Sequence, residues 1–191
     1  MPKLLRAIRL DASDMYVYER AAAAGEWVVS GAFMFWDRDL RTLDGRAKQA
    51  FRAGFLGLGS FGWSTLAVVV EATNEELAQA LESLSLYLLE HHGAPDPAAA
   101  QAAAEDELAF AESLAEHTVQ TLVAVHRTVT ADGEISEQFR TFHAADAKQA
   151  TAMPCSAGAF SVVVDEQDAS AANFDLVGIV ASQQTLGALK P

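Results

Sequence analysis

Trp36-Asp37-Arg38-Asp39-Leu40-Arg41 is the densest run of chemically capable side chains in the sequence. A guanidinium is a planar fork of donors matched to a carboxylate or phosphate, so Arg38 and Arg41 could seat an anion. Asp37 or Asp39 beside them could act as a base. The more economical expectation is a polar loop in which these acids and arginines pair with one another. His126, followed by Arg127, is the second candidate, because an imidazole changes charge near neutral pH. His126 shares a strand face with Leu122 and Ala124. It reads first as a hydrogen-bonded structural residue, and as a ligand group only if folding brings it to Arg38 and Arg41.

Other motifs are chemically incomplete. Gly57-Leu58-Gly59-Ser60-Phe61-Gly62 spells the glycine pattern that cradles a pyrophosphate, but it follows a helical stretch and precedes a strand, the reverse of the order a dinucleotide fold needs. A structural glycine loop is expected. Asp132-Gly133-Glu134-Ile135-Ser136 has the centre of a calcium loop, yet Thr128, Thr130 and Phe139 stand where oxygen ligands belong. The five histidines, His91, His92, His117, His126 and His143, form no pair at metal-ligand spacing, and Cys155 has no activating neighbour in sequence. No catalytic residue, metal or cofactor is assigned.

The elements that must position these groups follow from periodicity. Leu4 to Leu10, Met15 to Glu19 and Trp27 to Trp36 read as three strands of an antiparallel meander, the last with both faces apolar and therefore central. Thr42 to Phe55 reads as a helix with an apolar stripe at Leu43, Ala47, Ala50, Phe51 and Phe55. A glycine loop and a buried strand from Thr65 to Val70 come next. Thr73 and Glu76 form a capping box, and Leu77, Leu81, Leu84 and Leu88 recur at helical spacing up to Gly93 and Pro95. Asp96 and Pro97 restart a helix that runs to about His117 and completes an αα-hairpin. Eight of the thirteen residues from Thr118 to Thr130 are Val or Thr, which favours a strand, with a turn at 131–134 and a return strand from Ile135 to His143. Further strands are expected at Phe160 to Val164 and Phe174 to Ala181. The expected fold is one α+β domain over 1–191, with antiparallel sheet of about seven to eight strands, the αα-hairpin and one further helix; a sub-division is conceivable near 93–118.

The chain has 191 residues, 51% of them apolar, and a net charge of -13. That charge is uneven. Residues 1–52 hold nine basic and seven acidic side chains, whereas residues 53–126 hold eleven acids and no Lys or Arg. Such a middle segment repels phosphate backbones and anionic membranes, which disfavours nucleic acid as a partner. It suits a basic protein partner, with Glu105, Asp106, Glu107, Glu112 and Glu116 on the second hairpin helix as its contacts; solvated helix faces are the plainer reading. A homodimer through the N-terminal sheet is a further possibility. Ala53 to Val70 carries no charge for eighteen residues, but its glycines and hydroxyls argue against a membrane span. A single cysteine and an N-terminus whose apolar run is broken by charges point to the cytoplasm.

Gly25-Glu26-Trp27-Val28-Val29-Ser30-Gly31-Ala32-Phe33, Phe61-Gly62-Trp63-Ser64-Thr65-Leu66, Leu122 to Thr128 and Glu137 to Thr141, together with Ile8-Arg9-Leu10-Asp11, resemble strings of an uncharacterised bacterial protein family with no assigned activity. The resemblance covers most of the chain. It supplies no catalytic residues and implies an assembly or accessory role, here a non-catalytic protein presenting its acidic hairpin to a basic partner. The alternative from another class is a small-anion-binding protein or enzyme with a pocket around Arg38, Arg41 and His126.

Overall fold

In the computed structural model, which describes residues 1–143, one seven-stranded antiparallel sheet carries four helices. The strands are β1 (Lys3–Ile8), β2 (Trp27–Val29), β3 (Phe55–Gly57), β4 (Trp63–Ser64), β5 (Leu66–Glu71), β6 (Leu122–Val129) and β7 (Ile135–Phe142). Their spatial order is β4-β3-β2-β1-β5-β6-β7. The helices are α1 (Ser13–Val17), α2 (Gly45–Ala53), α3 (Asn74–His91) and α4 (Pro97–Leu114). The fold is therefore α+β. The strands expected at Phe160 to Val164 and Phe174 to Ala181 lie outside the described residues.

The middle position belongs to β1, where adjacent Leu4 and Leu5 are both buried although successive strand residues point to opposite faces. Leu4 joins Val29, Leu56 and Leu58 in a core with Leu84 and Leu88 of α3 and Ala100, Ala104 and Leu108 of α4. Leu5 joins Val28, Phe55, Val69, Val123 and Val125. The alanines of α4 have a steric reason: with side chains this small its backbone lies close to α3 and the sheet. Thr73 caps α3 through the reciprocal box with Glu76, Gly93 takes the left-handed conformation at φ +65°, and Asp96 caps α4 by accepting from the Ala99 N–H at 2.8 Å.

Two expected strands are corrected. Met15 to Glu19 falls in and just after α1, because Asp14 and Tyr18 are the buried positions, four apart, while Met15 and Tyr16 face water. Asp14 accepts from the Thr65 hydroxyl at 2.6 Å, and the Tyr18 hydroxyl lies 2.9 Å from the same oxygen and donates to the Ala53 carbonyl at 3.2 Å. Burial pushes the Tyr18 phenol up to about 12, so it stays a donor. Trp27 to Trp36 is the second correction: the strand is interior, between β1 and β3, with Val28 and Val29 buried on its two faces, but it stops at Val29. Gly31 sits at φ +73° where a Cβ would meet the side chain of Leu56 at 2.5 Å, and Ala32–Phe35 then coils as a 3₁₀ turn. The uncharged run Ala53 to Val70 is spent on β3, β4 and β5, and among the described residues no helix is long and apolar enough to cross a membrane.

Candidate functional site

The 3₁₀ turn delivers the Trp36 to Arg41 cluster to one place. Successive bonds from Met34 N–H to Gly31 O, Trp36 N–H to Phe33 O and Arg38 N–H to Phe35 O keep the chain coiled as far as Arg38. Asp39 then closes an Asx turn, its carboxylate accepting from the Arg41 N–H at 3.1 Å and its carbonyl from the Thr42 hydroxyl at 2.9 Å. Phe35 is buried as the anchor, while Trp36 is 75% exposed. The result is a cleft of about 550 Å³ between this corner and the β6–β7 turn, with Arg38 and Arg41 opposite Val129, Gly133, Glu134 and Ile135 and with Phe35 and Trp36 on its wall. The expected pairing within the cluster is absent: among the described residues neither guanidinium makes a hydrogen bond or ion pair, and Asp39 serves the backbone instead. Asp37 is exposed.

Arg127 is the opposite case. It is 1% exposed, and all five of its donors are used inside the protein. Nε donates to Glu137 at 2.7 Å, Nη1 to the carbonyls of Phe51 and Gly54 at 3.1 and 2.8 Å, and Nη2 to the carbonyl and hydroxyl of Ser30. The Ser30 hydroxyl donates in turn to Glu137. The guanidinium thus closes the C-terminal end of α2, where free carbonyls favour a cation, and ties it to β2, β6 and β7. Nothing of Arg127 is left for a ligand. His126 points to the other face of β6 and does not line this cleft; burial, then Arg52 and Arg140, holds its imidazole below the usual histidine value. It also stands three residues from Val129, about 10 Å along the strand. The triangle Arg38, Arg41 and His126 therefore reduces to its two arginines.

The acids of α4 divide in the same way. Glu105, Asp106 and Glu116 are exposed and Glu112 is half-buried, but Glu107 turns inward and accepts from the Gly31 N–H at 2.9 Å. Burial raises the Glu107 carboxyl above the usual range, and the Glu137 charge adds to that, against the Gly31 N–H and Arg127. Glu107 thus fixes the residue from which the Arg38 corner springs.

Sequence reasoning missed a third arrangement, at the glycine loop. The N–H groups of Gly59 and Ser60 point at an anion, at 2.8 and 2.7 Å, and that anion is the protein's own Glu26 carboxylate. Glu26 also accepts from the Ala23 N–H at 2.6 Å. A Cβ on Gly59 would come within 2.8 Å of the Glu26 carboxylate, and one on Gly57 would collide with it too. The glycines therefore admit an internal carboxylate where the same pattern elsewhere admits a phosphate. An acid just before β2 was the available signal, readable only once β2 and β3 are known to pair.

A sequence model of a family described as "Family of unknown function (DUF6505)" matches residues 1–157. The chain belongs to this family. No curated protein and no solved structure matches it. Membership in DUF6505 brings no assigned residue, so the site rests on geometry. Among the described residues no three His, Cys, Asp or Glu side chains gather as they would around a metal ion.

Proposed function

We propose that this DUF6505 protein binds a carboxylate- or phosphate-bearing ligand in the cleft between the Phe35–Arg41 corner and the β6–β7 turn. One observation carries the reading: Arg38 and Arg41 both line the cleft and have no ion-pair partner among the described residues, although two aspartates adjoin them in sequence. A cationic pair beside Phe35, Trp36 and Ile135 gives an anion both charge and an apolar wall, the usual make-up of a small-molecule site. A recognition role is the reading this supports: among the described residues, the carboxylates that line the cleft, Asp39 and Glu134, have no histidine beside them there. Titration calorimetry with inorganic phosphate and with acetate at low salt tests it. Binding that weakens with salt and falls about tenfold or more in Arg41→Ala is expected; no binding to the native protein, or equal binding to both, removes the reading.

A second reading keeps the acidic hairpin as an accessory surface for a basic protein. Its support is that Glu105, Asp106 and Glu116 stand exposed with no ion pair among the described residues. Glu107 is withdrawn from that surface. Reversal of Glu105, Asp106, Glu112 and Glu116 to Lys should abolish a salt-sensitive partner interaction of the native chain; retention of the partner would count against it.

A further inference from the structure

Arg38 is a partition between two clefts. On its far side lies a second, of about 440 Å³, lined by Arg20, Arg46, Phe61 and Trp63 together with the shared Phe35 and Arg38, and with Glu19 as its carboxylate. Both volumes fall within the roughly 300–1,000 Å³ typical of small-molecule sites. The second cleft differs from the first in its walls. Phe35 and Trp63 stand 5.3 Å apart in a tilted pair, and Phe61 has one face stacked on Tyr87 at 3.7 Å. Phe61 holds φ +50°, a conformation that a bulky side chain adopts only when its surroundings impose it. Here the surroundings are the Glu26-filled glycine loop, whose Gly57 carbonyl accepts the Phe61 N–H at 3.1 Å. The aromatic wall is set by the backbone on one side and by Tyr87 on the other, so it is formed before any ligand arrives.

We propose that the two clefts are halves of one site for a flat aromatic ligand carrying two separated acidic groups. One acidic group meets Arg38 and Arg41, the ring lies along Phe35, Phe61 and Trp63, and the second acidic group meets Arg20 and Arg46. This rests on the anion reading of the first cleft and adds the substrate class. Its basis is the placement of four guanidiniums, two beyond the pair named by the sequence, around two clefts that share Phe35 and Arg38, with Phe61 and Trp63 lining the second. Among the described residues Arg20 gives only one bond, to the Ser60 carbonyl at 3.2 Å, and Arg46 makes none. An aromatic ring offers large contact area at little entropic cost, and each guanidinium fork matches one acid group.

The test uses inorganic phosphate, benzoate, adipate and terephthalate as probes on the full chain, read by calorimetry and by the indole N–H resonances of its three tryptophans, assigned with Trp36→Phe and Trp27→Phe. Terephthalate should bind at least about tenfold more tightly than benzoate or adipate and shift both Trp36 and Trp63, while phosphate at Arg38 and Arg41 shifts Trp36. Arg46→Ala should bring terephthalate down to the level of benzoate and leave the phosphate shift of Trp36 unchanged; Arg41→Ala should weaken terephthalate binding and that shift together. The indole spectrum of each variant reports whether it is folded. Phosphate binding with terephthalate no tighter than benzoate, or with Trp63 unmoved by it, overturns the two-part site and leaves the single anion cleft. Binding of none of the probes overturns both.

Discussion

Arg127 and the pair Arg38 and Arg41 lie against the same β6–β7 hairpin, and the protein treats their charges in opposite ways. Arg127 is 1% exposed and gives every donor to Glu137, Ser30 and the end of α2. The guanidiniums of Arg38 and Arg41 stand at the cleft with no hydrogen bond or ion pair to any described residue. A buried charge without partners costs several kcal/mol, so the fold has to complete Arg127 internally. A charge in water carries no such penalty, and its donors stay available. The two environments separate an arginine that holds the structure from arginines that can hold a ligand.

The contrast predicts its largest effect at Arg127. Arg127→Ala removes one half of a buried pair and leaves Glu137, Ser30 and two helix-end carbonyls without their donor, which should cost about 3–5 kcal/mol. That is a large share of the roughly 5–15 kcal/mol of a typical domain. Urea unfolding followed by circular dichroism measures it. Arg127→Lys should recover only part, because one ammonium cannot serve five acceptors in a plane. A loss below about 1 kcal/mol would erase the distinction between the two kinds of arginine.

A second carboxylate sharpens it. Glu26→Ala strips the acceptor from the Ala23, Gly59 and Ser60 N–H groups at a half-exposed site, so about 1–3 kcal/mol is expected. The emptied loop would then be a nest for a free anion. Added inorganic phosphate should therefore raise the melting temperature of Glu26→Ala more than that of the native chain. Equal responses would mean that the loop is held by its glycines and not by the charge.

What was readable from the sequence was whatever is specified by residues near one another. The capping box of Thr73 and Glu76, the stop at Gly93 and Pro95, the restart at Asp96 and Pro97 and the β6–β7 hairpin all depend on local spacing. The losses came where a distant contact decides. Met15 to Glu19 alternates like a strand, but Asp14 and Tyr18 are drawn inward by Thr65, fifty residues on, and four-residue spacing wins. Trp27 to Trp36 has the composition of one long strand, yet close packing of Leu56 and Trp63 on Gly31 breaks it. The site followed the same rule. Arg38 and Arg41 were visible because they share a loop, whereas Arg20 and Arg46 reach the neighbouring cleft from elements whose packing no local pattern reveals. Arg127 was visible as a residue but not as a buried one, since its five acceptors come from three separate segments. The excess of basic residues over the first 52 was the one available hint of an arginine-lined surface.

Glu107 joins the two regions, because it holds Gly31 at the root of the corner and faces Glu137 and Arg127 within the buried network. Its carboxyl is raised in the folded chain, chiefly by burial, so the native state keeps this proton to higher pH than the unfolded state does. Stability from this group therefore falls as pH rises from the unfolded value near about 4.3 through the raised folded one, and the deficit is complete above it. Glu107→Gln keeps an oxygen for the Gly31 N–H and has no charge to bury. Its melting temperature should exceed that of the native chain at pH 7, with the gap closing toward about pH 4. A gap of constant size across that range would place the effect in packing instead of titration.

The smallest expected effect on stability belongs to Arg38→Ala with Arg41→Ala, and it is the one that completes the comparison. Neither side chain bonds to a described residue and both are exposed, so the double variant should unfold within about 0.5 kcal/mol of the native chain. Removing two cations from a loop that also carries Asp37 and Asp39, in a chain of net charge -13, takes away weak long-range attraction, which makes slight destabilisation the expected sign. Phosphate titrated into the native protein should raise its melting temperature, and the same titration should raise that of the double variant markedly less. Arg127 would then be indispensable to folding and absent from binding, and Arg38 and Arg41 the reverse. A double variant destabilised by more than about 1 kcal/mol would show that the corner depends on its arginines for shape, and would move them to the structural side with Arg127.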